Sequence, residues 1–460
     1  MALSGNEPSM RRSVGSCLQF GVWEQSDLPD GKQALPSRML LEHKFKARLV
    51  AGGHKQQHGL DFEDTYAPVC SHRTMRMMLA TCAHEDLEMR QFDIRTAFLN
   101  GNLEEEVYMR PPKGIPGLVE AGRVLRRRRA LYGLRQSGRA WNKRLEAALT
   151  DKGFLQSDAD PALWILHGGE GAVLAMLYVD DGLVAARTVA EDALVELVAS
   201  MFAIRASGEP DDFLGIQVTQ IRSERTITID QERKACTLAT AVGVNGERRV
   251  VPMSPEIYVG LRAAQPGERM SNALEYQSII GSLLHMAQCT RPELALYVGA
   301  VASYNSSPSQ AHYNAAVDIV RYVGCTAERG IIFGHTSVPL EIWCDANFAA
   351  CQGTRRNTTG WVVVMYGGAV SWSSKKQATT AASTMDAEYQ ARGSVAREGI
   401  SLLKALDELS LLSNDFPIKG PLSVFCDKKA ALSLCKDRKE GQTVAYRYHP
   451  SFRAGSCCIW

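Results

Sequence analysis

Two adjacent carboxylates in an apolar setting, Asp180 and Asp181, are the residues of this 460-residue chain best placed to do chemistry. The apolar runs 174–179 and 183–186 flank them, with Gly182 between. Adjacent aspartates repel, and an apolar surround makes that repulsion costlier. A divalent cation would relieve it, and carboxylate oxygens suit a hard ion such as Mg²⁺. Alone, an Asp-Asp-Gly step is also a solvated turn. A third aspartate, Asp93, lies upstream in 87–94, with Phe98 five residues further on. Alone, Asp93 reads as a strand-end or cap residue.

The elements that must position these groups are legible in outline. The β-prone runs 174–179 and 183–186 read as a hairpin carrying the acids at its turn, the Asp-Gly step being the turn signal. A strand ending at Asp93 brings its carboxylate to the same edge. Residues 44–51 alternate charge and apolar side chains, as a half-buried strand does, and aim Lys46 and Arg48 either at solvent or at a triphosphate. Trp141, Leu145, Ala148 and Leu149 follow helical spacing, as do Leu194, Leu197, Val198, Met201 and Phe202. Residues 212–218 read as a strand with a glycine, and 219–336 as mostly helical. A second acidic set follows: Asp345 at a strand end, Glu388 in a helix, and Asp427 after a strand at 422–425. Strands at 361–366 and 369–374, joined at Gly367-Gly368, stand between. Strand-end Asp, helical Glu and strand-end Asp are what a second two-metal phosphodiester site would require; singly, each is an ordinary cap or surface residue.

Composition narrows the class. A chain this long holds two to four domains, and 45% hydrophobic with 22% charged residues is a globular balance. The net charge of +2 says nothing about nucleic acid, but Arg123 to Arg144 contains nine Lys or Arg and no acid. That run reads either as a solvated face or as a grip on nucleic-acid phosphate. The 12 cysteines form no Cys-x-x-Cys pair, which argues against a zinc site or a disulfide framework. No apolar run suits a signal peptide or a membrane span. The expectation is an intracellular protein, not secreted and with no membrane partner; the resemblance described next implies a cytoplasmic particle or the nucleus.

Six motifs then occur in order: 46–53 (KARLVAGG), 65–69 (TYAPV), 92–101 (FDIRTAFLNG), 105–112 (EEVYMRPP), 131–136 (LYGLRQ) and 178–181 (YVDD). Together they resemble the reverse transcriptase of copia-type LTR retrotransposons, from about Trp23 to about Cys435. The resemblance implies an α+β right-hand polymerase of fingers, palm and thumb, followed by an α/β ribonuclease H-like domain with a mixed sheet. The implied division is a polar N-terminal segment at 1–22, fingers and palm at 23–218, thumb and connection at 219–336, a ribonuclease H-like domain at 337–440 and an aberrant tail at 441–460. Asp93, Asp180 and Asp181 would bind two Mg²⁺ ions, with Mn²⁺ an alternative. Lys46 and Arg48 would meet the dNTP phosphates, Phe98 would sit under the sugar, and Gln136 would border the dNTP pocket. The hairpin at 212–218 would hold the primer end. Asp345, Glu388 and Asp427 match three of the four metal ligands of the ribonuclease H domain.

The implied partners are an RNA template, a DNA primer, the RNA–DNA hybrid and dNTPs. The chain departs from the pattern at a shortened fingers hairpin between Leu41 and Lys46, and after Thr443, where the fourth nuclease acid is absent. The text reads as a fragment of a polyprotein with a frameshifted or truncated end. Its expected activity is RNA-directed DNA synthesis with an impaired nuclease; the alternative is a catalytically inactive retroelement remnant that binds nucleic acid.

Overall fold

The computed structural model describes residues 7–42, 46–113, 115, 118–168, 171–187, 196, 198–244, 248–334, 336, 340–347, 357–377, 384–410, 422–426 and 444–448. The segment read as polar contains a helix, α1 (Glu7–Gln19), which buries Val14 and Cys17. Ser13 Oγ of α1 accepts from the Leu49 N–H at 3.1 Å. After the strands β1 (Trp23–Ser26) and β2 (Ala34–Leu35), β3 (Ser37–Glu42) and β4 (Lys46–Ala51) pair antiparallel, with Leu40 opposite Arg48.

The helix α2 (His72–Glu85) starts at Ser71, whose hydroxyl accepts from the Thr74 N–H. Its residues from Thr74 to Ala83 are all buried, so α2 has no solvent face. β5 (Glu88–Ile94) follows, then β6 (Tyr108–Met109) and β7 (Val124–Arg127), which join β1 and β2 in a sheet ordered β1-β7-β6-β2. Next come α3 (Ser137–Asp151), β8 (Leu155–Gln156), β9 (Leu163–Gly168), β10 (Gly171–Tyr178), β11 (Asp181–Ala186) and β12 (Ile204–Gly208). These strands and β5 form a six-stranded sheet in the order β12-β5-β11-β10-β9-β8. Its central strands are apolar throughout because both faces are covered. Val173, Ala175, Leu177, Val184 and Ala186 pack with Phe92, Trp141 and Leu145 on one face. Leu174, Met176, Leu183 and Ala185 join Met75, Met78 and Leu79 of α2 on the other. Of the amphipathic segment read at 194–202, residues 196 and 198–201 are helical, and Val198 and Phe202 are buried; Leu194 and Leu197 lie outside the described residues.

Residues 219–336 are not simply helical. β13 (Asp212–Phe213), β14 (Ile216–Ile221) and β15 (Thr226–Asp230) form a meander. Then come α4 (Glu232–Val242), α5 (Pro255–Gly260), α6 (Leu274–Cys289), α7 (Ala295–Ala302) and α8 (Gln310–Cys325). Tyr276, Ile280, Leu283, Val298 and Ile319 lie in one buried cluster among these helices. β16 (Ile331–Gly334) then returns to close the sheet β13-β14-β15-β16.

The C-terminal unit comprises β17 (Leu340–Asn347), β18 (Thr358–Met365), β19 (Gly368–Lys376), α9 (Thr384–Ser410), β20 (Leu422–Cys426) and β21 (Val444–Tyr448). Its sheet runs β19-β18-β17-β20-β21, antiparallel over the first two pairings and parallel over the last two. Residues read as a tail thus supply its edge strand.

This unit is fused to the rest through α2. Arg76, 4% exposed, donates to Val370 O at 2.8 Å and to Gln288 O and Cys289 O at 2.9 Å each. The last two are carbonyls at the C-terminus of α6, which have no partner within their own helix. The guanidinium also lies 4.0 Å from the Trp372 ring centroid, and Trp372 Nε1 donates to Ala287 O at 2.8 Å. No helix among the described residues is long and apolar enough to cross a membrane.

Candidate catalytic site

Asp93 and Asp181 are directly opposed: they are register partners across β5 and β11. Opposed residues on antiparallel strands point to the same face, so the two carboxyl groups are neighbours. Asp180 precedes Asp181 in the turn from β10, which pairs Tyr178 with Asp181. The turn residues are therefore Val179 and Asp180, not the Asp-Gly step. Val179 has φ +57°, a costly conformation for a β-branched residue. Two bonds hold it there: Trp141 Nε1 of α3 donates to Val179 O at 2.7 Å, and the Ile94 N–H donates to Asp180 O at 2.6 Å. Gly182 lies within β11 because Phe92 is across from it; a Cβ there would sit 2.2 Å from the Phe92 ring.

The electrostatics follow from this packing. Burial, then the charges of Asp180, Asp93 and Asp212, push the Asp181 carboxyl up to about 6. Asp212, at the start of the β13–β14 hairpin, is a contributor that sequence reading missed. That hairpin turns through Leu214 (φ +58°) and Gly215 (φ +75°), with Gly215 N–H donating to Asp212 Oδ1 at 2.9 Å. Gln91 of β5 donates to Asp212 O at 2.7 Å and so ties the hairpin to the acidic edge.

A raised carboxyl pKa sets a sign for stability. Between the unfolded value of about 3.9 and about 6 the folded chain holds more protons, so stability falls as pH rises through that window. Asp181→Asn is therefore expected to raise the folding stability at about pH 7.5 without divalent ions by roughly 1 kcal/mol after allowance for solvent screening, and the melting temperature with it. The gain should vanish near pH 4, where the wild-type carboxyl is already neutral. Melting curves at both pH values check this; an equal gain at both would rule out charge as its cause.

The other predicted residues are placed unequally. Arg48, on β4, has its guanidinium 5.5 Å from the Tyr132 ring centroid. Lys46 is paired with Glu42 in the backbone register, and its side chain lies outside the described residues. Phe98, in the 3-10 turn Ala97–Asn100, is half-buried and meets Tyr132 edge-on at 4.9 Å. Gln136 borders a small cavity with Glu105 and Arg139 and also cross-links two segments. Only 3% exposed, it accepts from Gln56 Nε2 at 2.9 Å and donates to Asp61 O at 2.8 Å.

The basic run is likewise committed to protein partners. Arg126 pairs with Glu24 and Glu106, Arg128 with Glu24, Arg139 with Asp64, and Lys143 with Glu104. Arg127, 3% exposed, lies over Trp23 and donates to Arg129 O. This pairing favours a structural role over a grip on nucleic-acid phosphate for these five.

Of the second acidic set, Asp345 is on β17, half-buried, with Oδ1 accepting from the Ala346 N–H at 2.8 Å. Glu388 falls within α9, its side chain outside the described residues, and Asp427 lies outside them altogether.

Residues 20–250 match the family described as reverse transcriptase (RNA-dependent DNA polymerase). The chain is 29% identical over 459 residues to the retrovirus-related Pol polyprotein from transposon TNT 1-94 of Nicotiana tabacum, covering 96% of this chain and 34% of that protein. It is 31% identical over 421 residues to the Pol polyprotein from transposon RE2 of Arabidopsis thaliana, covering 88% of this chain and 28% of that protein. The chain thus spans about a third of the length of these curated relatives. The foamy viral protease-reverse transcriptase dRH, solved in complex with double-stranded DNA, shares the fold at a TM-score of 0.53 and 12% identity, covering 98% of this chain and 71% of that one. With the opposed aspartates of β5 and β11 inside the matched region, the chain belongs to the reverse transcriptase family of copia-type retrotransposon Pol polyproteins.

Proposed function

We propose that this segment is an RNA-directed DNA polymerase that transfers a nucleotide from a dNTP to a primer 3′-hydroxyl. The observation that carries the reading is the register that sets Asp93 opposite Asp181, with Asp180 adjoining. The donor set fits divalent ions: all-oxygen ligands, crowded enough that the Asp181 carboxyl resists ionisation without a counter-charge. When bound, two Mg²⁺ or Mn²⁺ ions supply activation of the 3′-hydroxyl and neutralisation of charge on the α-phosphate.

The chain's own residues do the rest. Asp93, Asp180 and Asp181 hold the ions, and the bonds from Trp141 and Ile94 keep the turn that carries Asp180 in its strained form. Arg48 and Lys46 meet the triphosphate, while the Phe98 ring occupies the space a 2′-hydroxyl would need. The partners are an RNA template, a DNA primer and their hybrid. The C-terminal unit is a ribonuclease H-like domain with Asp345, Glu388 and Asp427 as its acids, and it cuts weakly or not at all.

The test is extension of a DNA primer on an RNA template labelled in the RNA strand. DNA synthesis that requires Mg²⁺ and leaves the RNA uncut is expected. No synthesis by folded chain that still binds primer–template would replace this reading with a non-catalytic remnant. RNA release that is lost in Asp345→Asn would overturn the assignment of a weak nuclease.

A further inference from the structure

We infer that Tyr132 is a positioning residue that links triphosphate engagement to sugar selection. The inference rests on the proposed roles of Arg48 and Phe98 and extends them to a side chain that touches both. Its ring meets Phe98 edge-on, with centroids 4.9 Å apart and planes at 71°. That is a favourable geometry for an aromatic pair. The Arg48 guanidinium lies 5.5 Å from the same ring, within range of a cation–π contact. One side chain thus lies between the cation on β4 and the ring on the turn after β5.

The backbone fixes this placement. Tyr132 O accepts from the Ala51 N–H at 2.8 Å, at the end of the strand that carries Arg48. Gly133 follows at φ +92°, where a Cβ would come 2.2 Å from Ala51 O; a Cβ on Gly53 would come 2.0 Å from Gly133 O. The two segments touch backbone to backbone with no room for side chains between them. A shift of β4 therefore carries Tyr132 with it, and Tyr132 bears on Phe98. A ring can exclude a 2′-hydroxyl only if it cannot yield, and Phe98 is only half-buried. Tyr132 braces it, and a triphosphate drawn against Arg48 holds the brace in place.

The test compares dCTP with CTP in single-nucleotide insertion by wild type, Tyr132→Phe, Tyr132→Leu and Tyr132→Ala. The ratio of kcat/KM for dCTP to that for CTP should fall about tenfold or more in the Ala and Leu variants, with a raised KM for dCTP, because a small displacement of a positioning group costs up to about a hundredfold. Tyr132→Phe keeps the ring and should stay within about twofold of wild type. The Leu variant retains bulk, so it guards against a failure of the Ala variant to fold. A purely structural role would lower both substrates together and leave the ratio alone; an unchanged ratio in folded Ala and Leu variants overturns the inference. Wild-type chain that inserts neither nucleotide overturns the polymerase reading itself, and this inference with it.

Discussion

Asp93→Asn is expected to lower single-nucleotide insertion about 10³-fold, equivalent to about 4 kcal/mol of transition-state stabilisation, while leaving primer–template affinity unchanged. The substitution keeps the shape of the side chain and removes one charge from the set that faces Asp181 across the strand pair. Asp93 is one of the charges that raise the Asp181 carboxyl. Its neutralisation relieves repulsion, so the folded chain should be no less stable than wild type. The combination of lost turnover with undiminished melting temperature separates a ligand for metal from a residue that merely supports the sheet. Insertion within tenfold of wild type, by a variant that melts normally, would remove Asp93 from the chemistry.

The second large effect lies far from the aspartates. Arg76→Leu is expected to destabilise the junction between α2, α6 and the C-terminal sheet by about 3–5 kcal/mol, because it strips buried carbonyls of their charged donor. Three carbonyl oxygens, those of Val370, Gln288 and Cys289, would lose that donor, and Trp372 would lose its stacked cation. Lysine has no planar fork with which to serve several carbonyls and stack at once, so Arg76→Lys should recover only part of the loss. Hydrogen exchange is the measurement: amides of β19 and of the last turn of α6 should lose protection together. Protection retained at both places would mean that the apolar contacts alone hold the junction.

How far the chain could be read in advance depended on where each residue's partner lies. The apolar runs of β10 and β11 are a local signal, and they located the hairpin. The turn itself was misplaced because Gly182 answers to Phe92 across the sheet, ninety positions away in the chain, and not to the turn. The run from Arg123 to Arg144 looked like an open basic surface because its acids, Glu24, Asp64, Glu104 and Glu106, come from upstream segments. The sheet of β13–β16 was hidden for a similar reason, since its last strand arrives about a hundred residues after its third, with which it pairs. Helix α2 went unread because its His and Arg residues mask an element buried on every side. The cost of burying Arg76 is met by carbonyls more than two hundred residues later. Phe98 carried no local signal beyond its turn, and its assignment came from the ordered motifs; Lys46 and Arg48 stood out as cations on an alternating strand, and Asp345, Glu388 and Asp427 as acids at two strand ends and in a helix.

The position of α2 also bears on how the chain is made. One apolar cluster takes in Met75 and Leu79 of α2, Leu183 of β11, Phe333 of β16, and Val363, Leu406 and Val424 of the C-terminal unit. During synthesis, α2 emerges more than three hundred residues before the last of these. Until then, the side of the helix destined for the C-terminal sheet has nothing to cover it, and exposed apolar surface of this kind promotes association with other chains. Nascent polypeptide halted near residue 336 would carry a greasy, arginine-bearing face in need of a chaperone. Completion of the C-terminal sheet is then the event that covers this side of α2.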